Sequence, residues 1–251
     1  MPGIDAALID DVDLLCLDAG NTVVFLDHAR LARACEDAGF AVSTEALVRS
    51  EGLAKIAMEL RQGLDVSWSM AQVPAARGWG VVVGTMLNLA GLAAGRVSGV
   101  LDALWTLHTT HNFWSMVPDG LPEALRKVRA QGVRVAVVSN SEGMLERLLD
   151  ELGVLRCLDL VVDSGVVGVE KPDPRIFGVA LNHFRVPPSR ALHLGDTYTS
   201  DVIGARAAGL RVALVDPYGH LAGRHTDVSR VPGASEVANE IAVARQGRGR
   251  L

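Results

Sequence analysis

Two kinds of hydrophobic pattern alternate along most of this chain. Short runs in which nearly every residue is apolar predict strands that are buried on both faces of a parallel sheet. These runs are 14–18, 133–140, 158–163, 191–196 and 210–216. Apolar residues recur at helical spacing in 121–131 and 142–152, and Gly132 and Gly153 are placed to end those two helices. The alternation predicts an α/β fold with a doubly wound, Rossmann-like parallel sheet.

Residues 27–116 break the alternation, because their pattern is helical throughout. The predicted helices are 29–38, 43–61 with Ser43 as the N-cap, roughly 70–94, and 97–112. We therefore expect a second, smaller domain at 27–116, inserted into an α/β core made of 1–26 and 117–251. The tail, 244–251, is expected to be a frayed, solvated end of the chain.

Polar residues end four of the predicted strands, and ligands of open parallel sheets bind beyond the carboxyl ends of the strands. These residues are Asp18, Ser139 with Asn140, Asp196 and Asp216. The turn 19–22 that follows the first strand offers backbone N–H groups that can face an anion. We expect a ligand site at the rim where these strands end.

Two more charged residues make this a candidate phosphate site. Lys171 lies in "EKPDP", before a turn made rigid by proline, and Asp201 follows Asp196 by five residues in "GDTYTSD". Carboxylates this close repel one another unless a divalent cation lies among them, and oxygen ligands favour Mg²⁺. A lysine beside such a metal needs an anion between the two. A phosphate group, whose oxygens are shared by metal, ammonium and amide donors, fits all of these parts.

With these segments the chain resembles the haloacid dehalogenase superfamily of hydrolases. The segments that resemble its four motifs are, in order, "LDAGNT", "VVSNS", "EKPDP" and "HLGDTYTSD". The resemblance covers residues 12–216 and implies an α/β core with an inserted helical cap domain at 27–116. It also implies a phosphatase that acts on a small phosphorylated metabolite and uses Mg²⁺.

The resemblance implies a role for each matched residue. Asp18 would attack phosphorus and form an aspartyl-phosphate, and Lys171 would balance the charge of both Asp18 and the phosphoryl group. The residues implied to hold the phosphoryl group are Ala19, Gly20, Ser139, Asn140 and Lys171. The residues implied to hold Mg²⁺ are Asp18, Gly20 through its carbonyl group, Asp196, and Asp201. For Asp201 two roles stay open, that of a ligand and that of a residue that orients the ligands.

Gly20 is the one clear departure from the family pattern. The phosphatases of the superfamily usually carry an aspartate two residues after the nucleophile, which protonates the leaving alkoxide and then activates water. Glycine keeps the carbonyl ligand but loses an acid–base contribution of about 10²- to 10⁴-fold. A substrate with a good leaving group needs no such acid. Alternatively, Asp27, His28 or Tyr198 could supply the acid in place of residue 20.

Besides the phosphatase, three other functions stay open. A phosphonatase of the superfamily would use a lysine of the cap, and Lys55 is the one lysine in 27–116, although its helical pattern places it on a solvated face. A haloacid dehalogenase releases a halide and needs no acid for that step. Such enzymes carry a tyrosine at the position where this chain has Gly20. The last alternative is a catalytically weak relative that acts as a binding protein. The retained Asp18, Lys171 and Asp196 argue against this alternative.

Composition narrows the partners and the compartment. A net charge of −5 gives no reason to expect nucleic acid or an anionic membrane as partner. The N-terminus is acidic, which is unlike a signal peptide, and three widely spaced cysteines are typical of free thiols in the cytoplasm. Segment 78–95 has eighteen residues without a charge, yet its five glycines and Asn88 favour a buried helix or helix pair over a membrane span. The apolar residues 79–92 are a candidate contact for a homodimer.

Overall fold

The chain divides into two compact units, which we describe separately. The core unit contains the residues up to Phe25 and those from Met116 onward, and the helical unit is Leu26–Ser115. The computed structural model describes residues 4–248, so the first three and last three residues of the predicted α/β core lie outside the described residues. The role of the helical unit as a cap stays a prediction.

The core unit is built on one sheet of six parallel strands. They are β1 (Leu14–Leu17), β4 (Arg134–Ser139), β5 (Leu160–Asp163), β6 (Ala191–Gly195), β7 (Arg211–Val215) and β8 (Ser229–Val231). Their order across the sheet is β5-β4-β1-β6-β7-β8, so the sheet grows outward from β1 in both directions. This topology confirms the predicted doubly wound parallel sheet, with its first strand at the centre.

The register of the sheet explains why the strand ends share one rim. Leu17, the last residue of β1, is level with Val137 of β4 and with Leu194 of β6. The strands next to β1 therefore end close to the same height, since β6 runs one residue further than β1 and β4 runs two residues further. The edge strand β8 was not predicted, because two of its three residues are exposed and it carries no apolar run.

Seven α-helices in the described part of the chain belong to the core unit. They are α1 (Ala6–Ile9), α6 (Leu121–Ala130), α7 (Leu145–Glu151), α8 (Ser164–Val167), α9 (Arg175–Phe184), α10 (Ile203–Ala207) and α11 (Ala234–Arg248). The helices α6 and α7 confirm the two predicted ones, and Gly132 and Gly153 follow them with φ of 81° and 71°. The expectation of a frayed tail is wrong up to residue 248, because α11 continues to Arg248 and Arg245 donates a hydrogen bond of 2.6 Å to the Val12 carbonyl oxygen. Residues 249–251 lie outside the described residues.

The helical unit contains four helices, named α2 (His28–Asp37), α3 (Thr44–Glu59), α4 (Pro74–Leu89) and α5 (Ala94–Thr110). Ser43 caps α3 as predicted, since its Oγ accepts a hydrogen bond of 3.1 Å from the Ala46 N–H. The expectation of helices alone in 27–116 is wrong at the C-terminal end of that segment, where β3 (Trp114–Met116) pairs with β2 (Phe25–Leu26).

The uncharged segment 78–95 contains most of α4, a turn and the first two residues of α5, which agrees with the predicted helix or helix pair. The predicted helix at 70–94 is too long, because α4 begins at Pro74, a residue suited to the first helical position, and ends at Leu89, before Gly91 with φ of 108°. The apolar residues of α4, among them Trp79 and Met86, pack into the core of the helical unit. Within residues 4–248 every helix is too short or too polar to cross a bilayer.

All four tryptophans of the chain lie in the helical unit, and three of them surround a buried histidine. The ring centroids of Trp79 and Trp105 are 5.2 Å apart, and His108 stacks on Trp105 at 5.5 Å. Burial lowers the pKa of His108 to about 4. Its imidazole is therefore neutral in the folded unit at pH 7.

Candidate active site at the strand ends

Asp18 is fixed at the rim by the strand that precedes it and the turn that follows it. Its backbone N–H donates a hydrogen bond of 2.8 Å to the Leu194 carbonyl oxygen, which continues the pairing of β1 with β6. The chain then turns back, and the N–H groups of Val23 and Val24 both bond to the Ala19 carbonyl oxygen at 2.9 Å. Asn21 has φ of 54°, a conformation that asparagine tolerates better than most residues. The turn thereby leaves the Asp18 carboxylate at the end of the sheet.

Lys171 makes the central contact of the site. Its Nζ lies 2.5 Å from Oδ1 of Asp18 and 2.6 Å from Oδ1 of Asp201, and the lysine side chain is 2% exposed. Asn140 holds the lysine from the second motif, because the Lys171 N–H donates to Asn140 Oδ1 at 2.7 Å and Asn140 Nδ2 donates to the Lys171 carbonyl oxygen at 2.9 Å. Residues from all four motifs are thus joined by short hydrogen bonds.

The Asp201 carboxylate is fully engaged by protein donors. Oδ1 accepts from Lys171 Nζ and from His193 Nε2, the latter at 2.9 Å. Oδ2 accepts from the Thr197 N–H at 3.0 Å and from Thr197 Oγ1 at 2.7 Å. Asp201 is 1% exposed and lies in a π-helical turn, Tyr198–Val202, that precedes α10. Four hydrogen bonds leave this carboxylate little free capacity to bind anything else.

Three carboxylates meet beside the single ammonium group. One oxygen each of Asp18, Asp196 and Asp201 lies within 4.8 Å of the others. Asn21 Nδ2 donates a hydrogen bond of 3.2 Å to Asp196 Oδ2, while Asp18 Oδ2 has no hydrogen bond within residues 4–248. If all three carboxyl groups are ionised, the cluster carries an excess of negative charge over Lys171. An all-oxygen set with such an excess fits a hard divalent cation such as Mg²⁺.

The pKa shifts of the cluster follow from burial and from these contacts. Burial raises the pKa of Asp18 to about 7, with Asp201 and Asp196 adding to the shift and Lys171 opposing it. Burial alone would raise the pKa of Asp201 too, but Lys171 and His193 hold it well below its usual range. For Lys171, the two neighbouring carboxylates outweigh burial and raise the pKa above its usual range. Asp18, unlike Asp201, therefore needs a further positive charge in order to ionise fully at neutral pH.

The second motif is ordered by a residue that the sequence analysis missed. Ser139, the last residue of β4, is level with Asp163 of β5. The Asp163 carboxylate accepts hydrogen bonds from the N–H groups of Gly143 at 3.1 Å, Leu145 at 3.1 Å and Gly165 at 2.8 Å. It therefore shapes the loop that follows Ser139. The run 158–163 ends in this aspartate, so the rule on polar strand ends could have found it.

The structure brings most of the predicted site residues together. Asp18, Lys171, Asp196 and Asp201 form one cluster, and Asn140 is bonded to the backbone of Lys171. Asp216 directly follows its strand as predicted but does not belong to the group of close carboxylates, and its Oδ2 accepts a hydrogen bond of 3.0 Å from the Leu221 N–H. The acidic end of β7 thus orders a loop.

Each residue considered as a substitute acid has a partner. Asp27 caps α2 by accepting a hydrogen bond from the Arg30 N–H at 2.8 Å. His28 Nε2 lies 2.8 Å from Glu51 Oε2, and both residues are buried in the helical unit. Tyr198 donates its hydroxyl hydrogen to Asp227 at 2.8 Å and stacks on His225.

Lys55, the lysine that a phosphonatase would use, was expected on a solvated face of α3. This is wrong, because the residue is half-buried.

The sequence analysis also missed two other residues that bond to the acidic cluster. His193 lies in the middle of an apolar run, where a polar side chain is a burial problem, and that anomaly is a signal that could have found it. Asn21 stands beside Gly20 in the first motif, and its amide donates to Asp196.

A sequence model of the haloacid dehalogenase-like hydrolases matches residues 12–209. The match covers most of the chain, and the chain belongs to this family of hydrolases. The resemblance found in the four motifs is confirmed, and with it the hydrolase class of the enzyme.

Individual relatives agree with this assignment over part of their length. The chain is 35% identical over 153 residues to haloacid dehalogenase-like hydrolase domain-containing protein 3 of Xenopus laevis, covering 60% of this chain and 62% of that protein. It is 42% identical over 99 residues to a phosphoserine phosphatase of Thermus thermophilus, covering 38% of this chain and 40% of that one. The matches thus span less than two thirds of these curated relatives.

The fold recurs in solved structures of the family. The HAD-hydrolase YfnB from Bacillus subtilis, solved bound to magnesium, superposes with a TM-score of 0.62 and 16% sequence identity. The superposition covers 92% of this chain and 98% of that one. At this level of identity the likeness concerns the fold alone.

Proposed function

We propose that this hydrolase is a Mg²⁺-dependent phosphatase of a small phosphorylated metabolite and that Asp18 is its nucleophile. One observation carries the proposal, namely the contact of Lys171 Nζ with Asp18 Oδ1 at 2.5 Å inside a cluster of three carboxylates. A carboxylate nucleophile that attacks a phosphate dianion must overcome charge repulsion. A buried ammonium and a divalent cation at the same point remove that repulsion.

The proposed reaction assigns one task to each group. An oxygen of Asp18 attacks phosphorus, the bond from phosphorus to the ester oxygen breaks, and an aspartyl-phosphate forms. Lys171 neutralises charge on Asp18 and on the phosphoryl oxygens. Those oxygens also accept hydrogen bonds from the Ser139 hydroxyl and from the backbone N–H groups of Ala19, Gly20 and Asn140. Water then attacks the phosphorus of the aspartyl-phosphate and releases inorganic phosphate and free Asp18.

The residues present fit a magnesium ion. Asp18, Asp196 and the Gly20 carbonyl group would hold it, and the Asp18 oxygen that Lys171 does not contact is Oδ2. When bound, the ion withdraws negative charge from the transferring phosphoryl group and lets Asp18 ionise. The four hydrogen bonds to Asp201 favour the orienting role for that residue over the role of a direct ligand.

Gly20 limits the substrates that we propose. Without an aspartate at this position no side chain of residue 20 protonates the leaving oxygen, so aryl and acyl phosphates should react faster than alkyl phosphates. The relative named phosphoserine phosphatase supports a phosphomonoester substrate in general.

We further propose that the helical unit acts as a cap that selects the substrate. We also propose that the enzyme acts in the cytoplasm, a reducing compartment that suits its three buried free cysteines. Formation of a homodimer stays a prediction.

The test is phosphate release from p-nitrophenyl phosphate with Mg²⁺ and with EDTA. We expect release that requires Mg²⁺ and disappears in Asp18→Asn. Asp216→Asn is the matched control, because it makes the same chemical change at a strand end outside the carboxylate cluster. Release that persists in Asp18→Asn would refute the proposal, and so would metal-independent halide release from a 2-haloacid by the wild-type enzyme.

A further inference from the structure

His193 is a buried polar residue that the reaction proposed above does not use. It lies in the middle of β6 with 0% of its surface exposed, level with Cys16 of β1 and Val212 of β7. Its ring packs edge-on against Phe177, with the two centroids 4.9 Å apart. Every one of these neighbours is apolar or nearly so. An apolar side chain at position 193 would suit this environment better than an imidazole.

One carboxylate supplies the strong polar contact of the ring, and the backbone of Cys16 adds a weak one. Nε2 lies 2.9 Å from Asp201 Oδ1, and Nδ1 has no hydrogen-bond partner in the described part of the chain. A carboxylate accepts hydrogen bonds and donates none, so Nε2 must carry the proton of this hydrogen bond. The histidine therefore leaves one buried ring nitrogen without a full hydrogen bond while it donates to Asp201 with the other.

The same oxygen of Asp201 receives the ammonium group of Lys171. Oδ1 accepts from Lys171 Nζ at 2.6 Å and from His193 at 2.9 Å, and Lys171 reaches Asp18 at 2.5 Å. The two donors approach Oδ1 from different elements, since His193 lies on β6 and Lys171 precedes α9. The position of Oδ1 decides where the ammonium group rests relative to the nucleophile. A chain of three contacts thus joins the middle of the sheet to Asp18.

We propose that His193 is a positioning residue, which fixes Asp201 Oδ1 and through it holds Lys171 on Asp18. The inference rests on the proposed phosphatase function for its catalytic consequence, but the contact itself does not. Loss of the imidazole should leave the phosphate site present and poorly aligned. Removal of such an outer hydrogen-bond partner typically lowers activity about 10- to 100-fold.

The decisive comparison is between His193→Leu and His193→Gln in the full-length protein. Leucine fills the space without a donor, whereas the glutamine Nε2 stands as many bonds from Cα as the histidine Nε2 and can donate to Asp201. With p-nitrophenyl phosphate and Mg²⁺ we expect kcat of His193→Leu to fall about tenfold or more, with KM within about twofold of the wild type. His193→Gln should recover most of the loss, and the melting temperature of His193→Leu should match or exceed that of the wild type.

Val212→Ala is the matched control for packing. Val212 is level with His193 on the neighbouring strand, so its truncation disturbs the same level of the sheet without removing a hydrogen bond. It should lower the melting temperature and keep kcat. A His193→Leu variant with wild-type kcat would overturn the proposal, and so would equal losses in His193→Leu and His193→Gln.

Failure of the phosphatase proposal gives a different result. If the wild type shows no release that depends on Asp18, the contact is tested by nitrogen NMR of the histidine rings, with His193 assigned by its loss in His193→Gln. A proton on Nε2 whose resonance moves in Asp201→Asn supports the positioning contact. A proton on Nδ1, or a resonance that ignores Asp201→Asn, overturns it.

Discussion

Gly195, the last residue of β6, lies directly against the carboxylate of Asp201. A Cβ on residue 195 would stand 2.1 Å from Cγ of Asp201 and 2.5 Å from each of its carboxylate oxygens. Asp201 has no room to retreat, because Lys171, His193 and Thr197 all bond to that carboxylate. The close approach of backbone to carboxylate is therefore possible with glycine alone.

Replacing Gly195 with alanine should disable the site. The added methyl group must push Asp201 away, and Lys171 then loses one of its two carboxylate partners. We expect kcat on p-nitrophenyl phosphate to fall about tenfold or more, with loss of stability, since a buried ion pair broken on one side costs about 3–5 kcal/mol. Steady-state kinetics and thermal melting followed by circular dichroism measure the two effects.

Gly178→Ala is the control for this substitution. Gly178 lies in α9 of the same unit, and a Cβ there meets nothing within 4 Å. Alanine is the better helix former by roughly 0.5–1 kcal/mol, so this variant should be at least as stable as the wild type and equally active. Wild-type activity in Gly195→Ala would show that the position of Asp201 does not matter for turnover.

An aspartate at position 20 should restore the missing acid. If proton transfer to the leaving oxygen limits turnover of alkyl phosphates, Gly20→Asp should raise kcat on such substrates, within a ceiling of about 10²- to 10⁴-fold for general acid catalysis. Aryl phosphates, whose leaving groups need no proton, should gain much less. The measurement is the ratio of kcat for an alkyl phosphate to kcat for p-nitrophenyl phosphate.

Gly20→Asn separates acid catalysis from a change of shape. Asparagine has nearly the same size as aspartate and cannot supply a proton as a carboxylic acid does. The ratio should rise in Gly20→Asp and stay at the wild-type value in Gly20→Asn. Equal ratios in both variants, or a lower rate in Gly20→Asp, would mean that Gly20 does not limit the enzyme in this way.

The sequence was sufficient for the parts of the site that follow from strand order. Asp18, Asp196 and Lys171 could be predicted because parallel strands bring their carboxyl ends to one rim and because four motifs occur in family order. Hydrophobic runs also located five of the six strands of the sheet. The edge strand β8 escaped, since two of its three residues face solvent and make no apolar run.

The contacts inside the site could not be predicted, because they depend on distances between elements. The sequence gives no sign that His193 and Lys171 bond to the same oxygen of Asp201, since these residues lie 8 and 30 positions away from it. The two possible roles of Asp201 stayed open for the same reason. Similarly, the end of α4 at Leu89 depends on the backbone conformation near Gly91, which the apolar pattern of 78–95 hides.

The helical unit should lose stability in mild acid because of His108. The folded unit holds the pKa of His108 at about 4, against 6.5 for an ordinary histidine, because burial disfavours the charged ring. The unfolded chain therefore binds the proton first, and stability falls as the pH drops from about 6.5 towards about 4, by about 3 kcal/mol at most. Tryptophan fluorescence during urea unfolding measures this unit alone, since all four tryptophans lie in it.

His108→Gln should flatten this pH dependence. Glutamine does not titrate, so the difference in free energy of unfolding between pH 7 and pH 4.5 should shrink relative to the wild type. His111→Gln is the control, because His111 is an exposed histidine of the same unit and its removal should leave the slope unchanged. A slope in His108→Gln equal to that of the wild type would assign the acid sensitivity to other groups.

Changing Asp196 and Asp201 to asparagine, one at a time, should show that Asp196 is a metal ligand and that Asp201 is an orienting residue. Asp196→Asn removes one of three crowded carboxylates, so the metal-free protein should melt at the same or a higher temperature, while Mg²⁺ affinity falls about tenfold or more. Asp201→Asn removes the negative charge that Lys171 and His193 share, so it should lower the melting temperature and reduce Mg²⁺ affinity by less than Asp196→Asn does. Calorimetric titration with MgCl₂ and thermal melting in EDTA measure both quantities. A much larger loss of Mg²⁺ affinity in Asp196→Asn than in Asp201→Asn supports this division of roles, whereas two carboxylates that both bind the ion would give similar losses of affinity.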